Sequence, residues 1–118
     1  MIGDKKVVFI SGKITGTNDY LDRFCVAQLR LLHMGYAVIN PATVGVYLPK
    51  NSPYGLYMDV SLAMLRHADA IYMLSGWKDS GGAKIEYAQA MKQGIEILFE
   101  DPDDPMRTAK ADDSSHDI

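Results

Sequence analysis

Cysteines, clustered histidines and long apolar runs are scarce in this sequence, and each absence excludes a class of protein. Cys25 is the only cysteine among 118 residues, which excludes a disulfide framework and a thiolate metal site. It lies among apolar residues of a helical pattern, so we expect it to pack in the core. The three histidines have no ligand spacing with one another or with an acid pair, so we expect no metal site.

The sequence also lacks segments that would direct the chain to a membrane. No apolar run approaches the length of a membrane span, and no basic and then apolar segment opens the chain. Hydrophobic residues make up 47% and charged residues 23%, which are ordinary values for a globular domain. We therefore expect a cytoplasmic protein with no membrane partner.

Positive charge is scarce and unevenly distributed. Residues 100–118 contain seven acids and two bases, a net charge of −5, and the whole chain carries −3, which leaves +2 for residues 1–99. A nearly neutral body without a basic stripe argues against duplex nucleic acid as a partner. We expect residues 1–99 to form one domain, and residues 100–118 to form an acidic, solvated and mobile tail.

Apolar runs alternate with helical stripes along the body. The runs predict strands at Val7–Ile10, Tyr36–Ile39, Ala70–Leu74 and Ile95–Phe99, and the stripes predict helices over residues 20–34, 56–67 and 82–93. Residues 42–55 contain two prolines and two glycines without a period, so we expect a long loop there. Strands that alternate with helices predict an α/β fold with a parallel sheet.

Two glycine-containing turns follow predicted strands. The turn at residues 77–82 opens the third helix, whose expected inward stripe is Ala83, Tyr87, Ala90 and Met91. Backbone amides at such a helix start favour a phosphate, and Glu86 lies a few residues further on. The second turn, Ser11–Gly16, is neither a Walker loop nor a three-glycine dinucleotide fingerprint. The sequence therefore predicts an anion site with a nucleophile beside it.

Three stretches together resemble the nucleoside 2-deoxyribosyltransferase superfamily, which includes nucleoside 5'-monophosphate N-glycosidases. They are residues 9–16, 68–71 and 80–86, within a match over residues 6–99. The chain resembles most the small members found in phages and bacteria. The resemblance implies a flavodoxin-like or Rossmann-like three-layer sandwich with four to five parallel strands. It also implies a nucleoside or nucleotide substrate, no cofactor and a homo-oligomer.

The resemblance also implies roles for individual residues. Glu86 matches the glutamate that attacks the anomeric carbon and forms a glycosyl-enzyme ester. Ser80, six positions earlier, matches an acid in the transferases and a phosphate-binding serine in the monophosphate hydrolases. A hydroxyl can donate to a phosphate that a carboxylate would repel, which favours a phosphorylated substrate. The other candidate substrate-binding residues are Phe9, Gly12, Lys13, Gly81 and Gly82.

The sequence departs from the superfamily pattern at three positions. Phe9 stands where several members have tyrosine, and Thr15 stands where some hydrolases have arginine. An ungapped match places Ser61 at a family aspartate, with Asp59 two residues earlier. These two positions point to different faces of a helix, so Asp59 takes the catalytic role only if the helix starts later. Asp59 is therefore a second candidate catalytic residue.

Simpler interpretations exist for each of these residues. Glu86 also suits the favourable end of a helix dipole, and Ser80 also suits a helix N-cap. Four aromatic residues fit either a stacking wall for a nucleobase or ordinary packing; they are Tyr47, Tyr54, Tyr57 and Trp77.

The predicted function is cleavage of the N-glycosidic bond of a (deoxy)ribonucleoside 5'-monophosphate. Two alternatives stay open, namely a deoxyribosyltransferase that exchanges bases and a nucleotide-binding module without turnover. The chain lacks the tyrosine, arginine and aspartate that superfamily members have at the positions of Phe9, Thr15 and Ser61, and their absence favours the binding module.

Overall fold

A computed structural model describes residues 3–107, which form a four-stranded parallel sheet covered by helices. In chain order the elements are β1 Val7–Ser11, α1 Tyr20–His33, β2 Ala37–Ile39, α2 Pro41–Gly45, α3 Tyr54–Leu65, β3 Ala70–Met73, a 3-10 turn Trp77–Asp79, α4 Gly81–Gln93 and β4 Glu96–Phe99. The strand order β2-β1-β3-β4 matches the first four strands of the flavodoxin-like order. The predicted α/β three-layer, flavodoxin-like or Rossmann-like fold is confirmed.

The two central strands are buried on both faces of the sheet. All residues of β1 and β3 are buried, and β1 pairs in parallel with β2 on one side and with β3 on the other. Continuous apolar runs are typical of strands in parallel sheets, because helices cover both faces. This is the environment that the apolar runs of the sequence predict.

Each face of the sheet has its own apolar cluster. The first contains Phe24, Ala27 and Leu31 of α1, which pack on Val8 and Ile10 of β1. The second lies under α3 and α4 and includes Phe9, Leu65, Ile71, Ala83 and Ala90. Since side chains alternate between the faces of a strand, Ser11 follows Phe9 onto the second face.

The expected long loop after β2 is wrong in its first part, because α2 forms at Pro41–Gly45. Asn40 caps this helix, since its Oδ1 accepts a hydrogen bond of 3.0 Å from the backbone N–H of Ala42. Pro41 occupies the first helical position, where a missing N–H costs nothing. The irregular segment is therefore only residues 46–53, and α3 begins at Tyr54.

The first residues of the acidic C-terminal segment pack against the domain, so the expectation of a solvated segment is not met at Asp104 and Met106. Asp104 is only 6% exposed, and the indole Nε1–H of Trp77 donates to its Oδ2 at 2.9 Å. Lys78 Nζ lies 3.9 Å from the other oxygen of this carboxylate, and Met106 packs on the second cluster. The rest of the predicted tail, residues 108–118, lies outside the described residues.

Two further expectations concern Cys25 and membrane-spanning helices. Cys25 is exposed on α1, so the expectation that it packs in the core is wrong. Between residues 3 and 107, none of the helices has the length and apolar character needed to cross a membrane.

Candidate active site

A cavity of about 670 Å³ opens where the chain reverses direction across the sheet. From β1 the chain passes to β2 on one side, whereas β3 and β4 lie on the other side. In open parallel sheets, the crevice at the carboxyl ends of such strands is where ligands bind. The loop after β1, the first turns of α3 and the start of α4 line this cavity.

Glu86 is a buried carboxylate in the wall of this cavity. It is 5% exposed and lies between Ala83 and Ala90 on the inward face of α4. The expected inward stripe was therefore wrong at its end, because Met91 is 45% exposed and Glu86 is buried. A residue that interacted only with the helix dipole would be expected to remain solvated, so burial points to another role.

Two serine hydroxyls hold the Glu86 carboxylate, one at each oxygen. Ser11 Oγ, at the end of β1, donates to Oε1 at 2.6 Å. Ser61 Oγ, on α3, donates to Oε2. Both serines are fully buried, so these bonds lie away from bulk water. Three elements of the fold therefore converge on one carboxylate.

Burial raises the pKa of Glu86 from 4.5 to about 6, while the hydrogen bonds from Ser11 and Ser61 act in the opposite direction. Removal from water disfavours the charged form, whereas hydroxyl donors stabilise it. The serines thus keep a buried carboxylate ionisable near neutral pH, as a nucleophile or a general base requires.

The start of α4 presents hydrogen-bond donors to the same cavity. Ser80 Oγ caps the helix by accepting a 3.1 Å bond from the N–H of Ala83, so its own proton remains available for a ligand. Helix geometry leaves the N–H groups of Gly81 and Gly82 without acceptors inside the helix. A side chain at Gly82 would crowd the cavity, because its Cβ would lie 3.2 Å from Tyr54 Oη.

The loop after β1 forms the facing wall. Gly12 is tightly packed, since a Cβ there would lie 2.8 Å from Leu74 Cδ1. Lys13 is half-buried and is the one basic side chain among the described residues that line the cavity. Asp79, an exposed carboxylate beside Ser80, also lines it.

A family profile described as a domain of unknown function, DUF4406, matches residues 6–99. The chain belongs to the DUF4406 family. The matched range of this DUF4406 chain contains Glu86, both serines and both glycine turns, and it ends at the last residue of β4. No curated protein matches the sequence.

The structure of this DUF4406 domain does not bring two predicted site residues to the cavity. Phe9 is fully buried in the second apolar cluster and is absent from the cavity lining, so the expectation that it contacts substrate is not met. Asp59 is exposed on α3 and also lies outside the lining. Because α3 begins at Tyr54, the helix turns Ser61 toward Glu86 and Asp59 away from it.

Two of the four aromatic candidates line the cavity, namely Tyr54 and Tyr57. Tyr47 is 88% exposed and lies outside the lining, and Trp77 is buried beneath the α4 turn, where it stacks on Tyr87 at 4.7 Å. The Tyr57 hydroxyl is buried and has no hydrogen-bond partner within the described part of the chain. Such a group destabilises the ligand-free protein by about 1–3 kcal/mol.

Sequence reasoning missed Ser11 as a partner of Glu86. The available signal was weak: a polar residue directly after the apolar run at 7–10, at the expected carboxyl end of a central strand. For metals, residues 3–107 contain no group of three or more His, Cys, Asp or Glu side chains that could hold an ion.

Proposed function

We propose that this protein cleaves the N-glycosidic bond of a (deoxy)ribonucleoside 5'-monophosphate, with Glu86 as the nucleophile. The observation that carries the proposal is the buried Glu86 carboxylate, held by Ser11 and Ser61 in the wall of a cavity at the carboxyl ends of the strands. Buried, precisely held carboxylates with raised pKa values are typical of active sites.

The start of α4 and Glu86 lie at two separate points of the cavity wall along the same helix. Glu86 lies five residues beyond Gly81, which along a helix corresponds to about 7.5 Å. A phosphate that accepts bonds from Ser80 and from the amides of Gly81 and Gly82 would therefore direct the anomeric carbon toward Glu86. Lys13 adds positive charge on the facing wall.

The reaction proceeds in two steps at Glu86. One carboxylate oxygen forms a bond to the anomeric carbon while the bond to the base breaks, and the electron pair leaves with the base nitrogen, which takes up a proton from solvent; hydrolysis of the ester in the second step returns one proton to solvent. Water then hydrolyses the glycosyl ester, which releases the sugar 5-phosphate and restores the carboxylate. If a second base takes the place of water, the same intermediate gives base exchange.

The nucleophile must be ionised, which fixes the direction of the pH dependence. Because the pKa of Glu86 is raised to about 6, kcat/KM should rise as the pH increases through about 6. If the nucleophile had an ordinary glutamate pKa, kcat/KM would rise near pH 4.5 instead.

A second candidate function is nucleotide binding without turnover. The observation that favours it is Ser61, which faces Glu86 where the resemblance implies an aspartate, so that contact supplies a hydroxyl in place of a second carboxylate. A serine cannot protonate a leaving base in the way that a carboxylic acid does.

The test is release of free base from a panel of ribo- and deoxyribonucleoside 5'-monophosphates, followed by chromatography. We expect the wild type to release base from at least one of them and Glu86→Gln to lower the rate by about 1,000-fold or more. Glu96→Gln is the matched control, because Glu96 is exposed on β4 and pairs with Lys6 at 3.0 Å. It should release base at the wild-type rate.

The remaining outcomes separate the alternatives. Release that requires an added acceptor base would identify a transferase. Binding of a nucleoside monophosphate without release, with or without an acceptor, would favour the binding module. Equal rates for wild type and Glu86→Gln would contradict the role of Glu86.

A further inference from the structure

Tyr57 carries a polar group that the proposed reaction has not used. Its hydroxyl is buried and has no hydrogen-bond partner among residues 3–107, although its side chain lines the cavity that contains Glu86. Buried polar groups in proteins are almost always hydrogen-bonded, so each exception requires an explanation. A phenylalanine would fill the same space without a buried hydroxyl.

The position of the Tyr57 ring is fixed by the protein. Its edge lies against the backbone of α2, where a Cβ added to Gly45 would come within 2.7 Å of Tyr57 Cε2. Its neighbours on α3 are also inward-facing, since Met58 and Ser61 are buried. With one edge against α2 and the side chain in the lining of the cavity, the ring has little freedom to move.

The Glu86 carboxylate does not satisfy the Tyr57 hydroxyl. Both of its oxygens accept bonds from Ser11 and Ser61, and no bond joins Glu86 to Tyr57. The negative charge of Glu86 nevertheless acts on Tyr57: burial and then this charge raise the pKa of the tyrosine well above its usual range. The hydroxyl therefore remains protonated and available as a donor at any physiological pH.

We propose that the Tyr57 hydroxyl is a substrate-binding donor that forms a hydrogen bond with a hydroxyl oxygen of the sugar. This rests on the proposed function, because the sugar is the part of the substrate that must lie against Glu86. The phosphate binds at the other end, at Ser80 and the start of α4. Tyr57 thus recognises the pentose, whereas the base is recognised elsewhere.

The test combines stability and binding in Tyr57→Phe. Without ligand, the variant should melt about 4 °C or more above the wild type, because the unpartnered hydroxyl is gone. Calorimetric titration should show that 2-deoxyribose 5-phosphate binds about tenfold more weakly to the variant. Inorganic phosphate, which has no sugar, should bind equally to both proteins. Tyr47→Phe is the matched control, since Tyr47 is exposed, and it should change neither quantity.

Each contrary outcome is distinct. An unchanged melting temperature would mean that the hydroxyl already has a partner, and unchanged binding of 2-deoxyribose 5-phosphate would mean that it does not contact the sugar; either result overturns the proposal. If Tyr57→Phe weakened the binding of inorganic phosphate and of 2-deoxyribose 5-phosphate equally, the proposal would also be overturned. If base release depends on Glu86 while Tyr57→Phe binds normally, the proposed function stands and only the role of Tyr57 fails. No binding of sugar phosphate to the wild type would contradict both.

Discussion

The two faces of the sheet are built from the same strands but have different contents. On the face covered by α1, the buried side chains are apolar, as Phe24 and Leu31 illustrate. On the face covered by α3 and α4, the apolar cluster gives way to Ser11, Ser61 and Glu86 at the carboxyl end of the strands. One face therefore contributes mainly to stability, whereas the other accepts a buried charge that opposes stability and allows chemistry.

The largest expected effect is on the apolar face. Leu31→Ala should lower the free energy of unfolding by about 2–5 kcal/mol, because Leu31 is fully buried and its loss leaves a cavity. Base release at a temperature where the variant stays folded should be unchanged. Urea unfolding measures the first quantity and chromatography the second. The control is Leu29→Ala on the same helix, where the side chain is 61% exposed. A similar loss in both variants would contradict the distinction.

On the other face, removing a charge should stabilise the protein. The folded-state pKa of Glu86 is about 6 against 4.5 for an ordinary glutamate, so the folded state favours the protonated carboxyl. The stability associated with that proton is fully present below pH 4.5 and is lost as the pH rises through 6 and the buried carboxyl ionises. Glu86→Gln should therefore be more stable than the wild type by about 2 kcal/mol at pH 7.5, and equally stable at about pH 3.5, where the carboxyl is protonated in both states. Urea unfolding at both pH values checks this. A loss of stability at pH 7.5 would show that the carboxylate is favourable where it lies.

Replacing either serine that holds Glu86 should change the pH dependence of the reaction rate. Ser11→Ala or Ser61→Ala removes a donor that stabilises the ionised Glu86, so the acid limb of the kcat/KM profile should move upward by about one pH unit. Ser75→Ala, a change at an exposed serine after β3, should leave the profile in place. A reduced rate without displacement of the limb would mean that the serines act on something other than the carboxylate charge.

The smallest effect should come from the segment after β4. Asp104→Asn should lower the free energy of unfolding by about 1 kcal/mol, because the amide keeps an acceptor for Trp77 but loses the charge that faces Lys78. Asp103→Asn, at an exposed position, should have no measurable effect. Urea unfolding followed by circular dichroism compares the two. Equal stability of both variants and the wild type would mean that the charge of Asp104 contributes little to stability.

Most of the fold could be predicted from the sequence because its signals are local. Apolar runs identified the four strands, and helical periods identified α1, α3 and α4. The short helix α2 was missed because Asn40-Pro41 ends a strand and also starts a helix, and five residues are too few to show a period. The docking of Asp104 was missed because composition describes an average, whereas this carboxylate has one specific partner.

The site could be predicted only in part, for a physical reason. Glu86, Gly12, Lys13 and the start of α4 lie in turns and helices with recognisable patterns, and the structure brings them to one cavity. The bond from Ser11 to Glu86 joins residues 75 positions apart, and no local pattern records such a pair. Asp59 was a candidate because it is a carboxylate, but the phase of α3 decides which side chain faces Glu86.

Trp77 has a practical consequence for experiments. It is the only tryptophan in the chain, and its backbone carbonyl accepts the 3.0 Å hydrogen bond from the N–H of Ser80 at the edge of the cavity. Its ring stacks on Tyr87 and its indole N–H is bonded to Asp104, so the indole is sensitive to movement on two sides. The intrinsic fluorescence of the unlabelled protein is thus a single-site optical signal for ligand arrival at the start of α4.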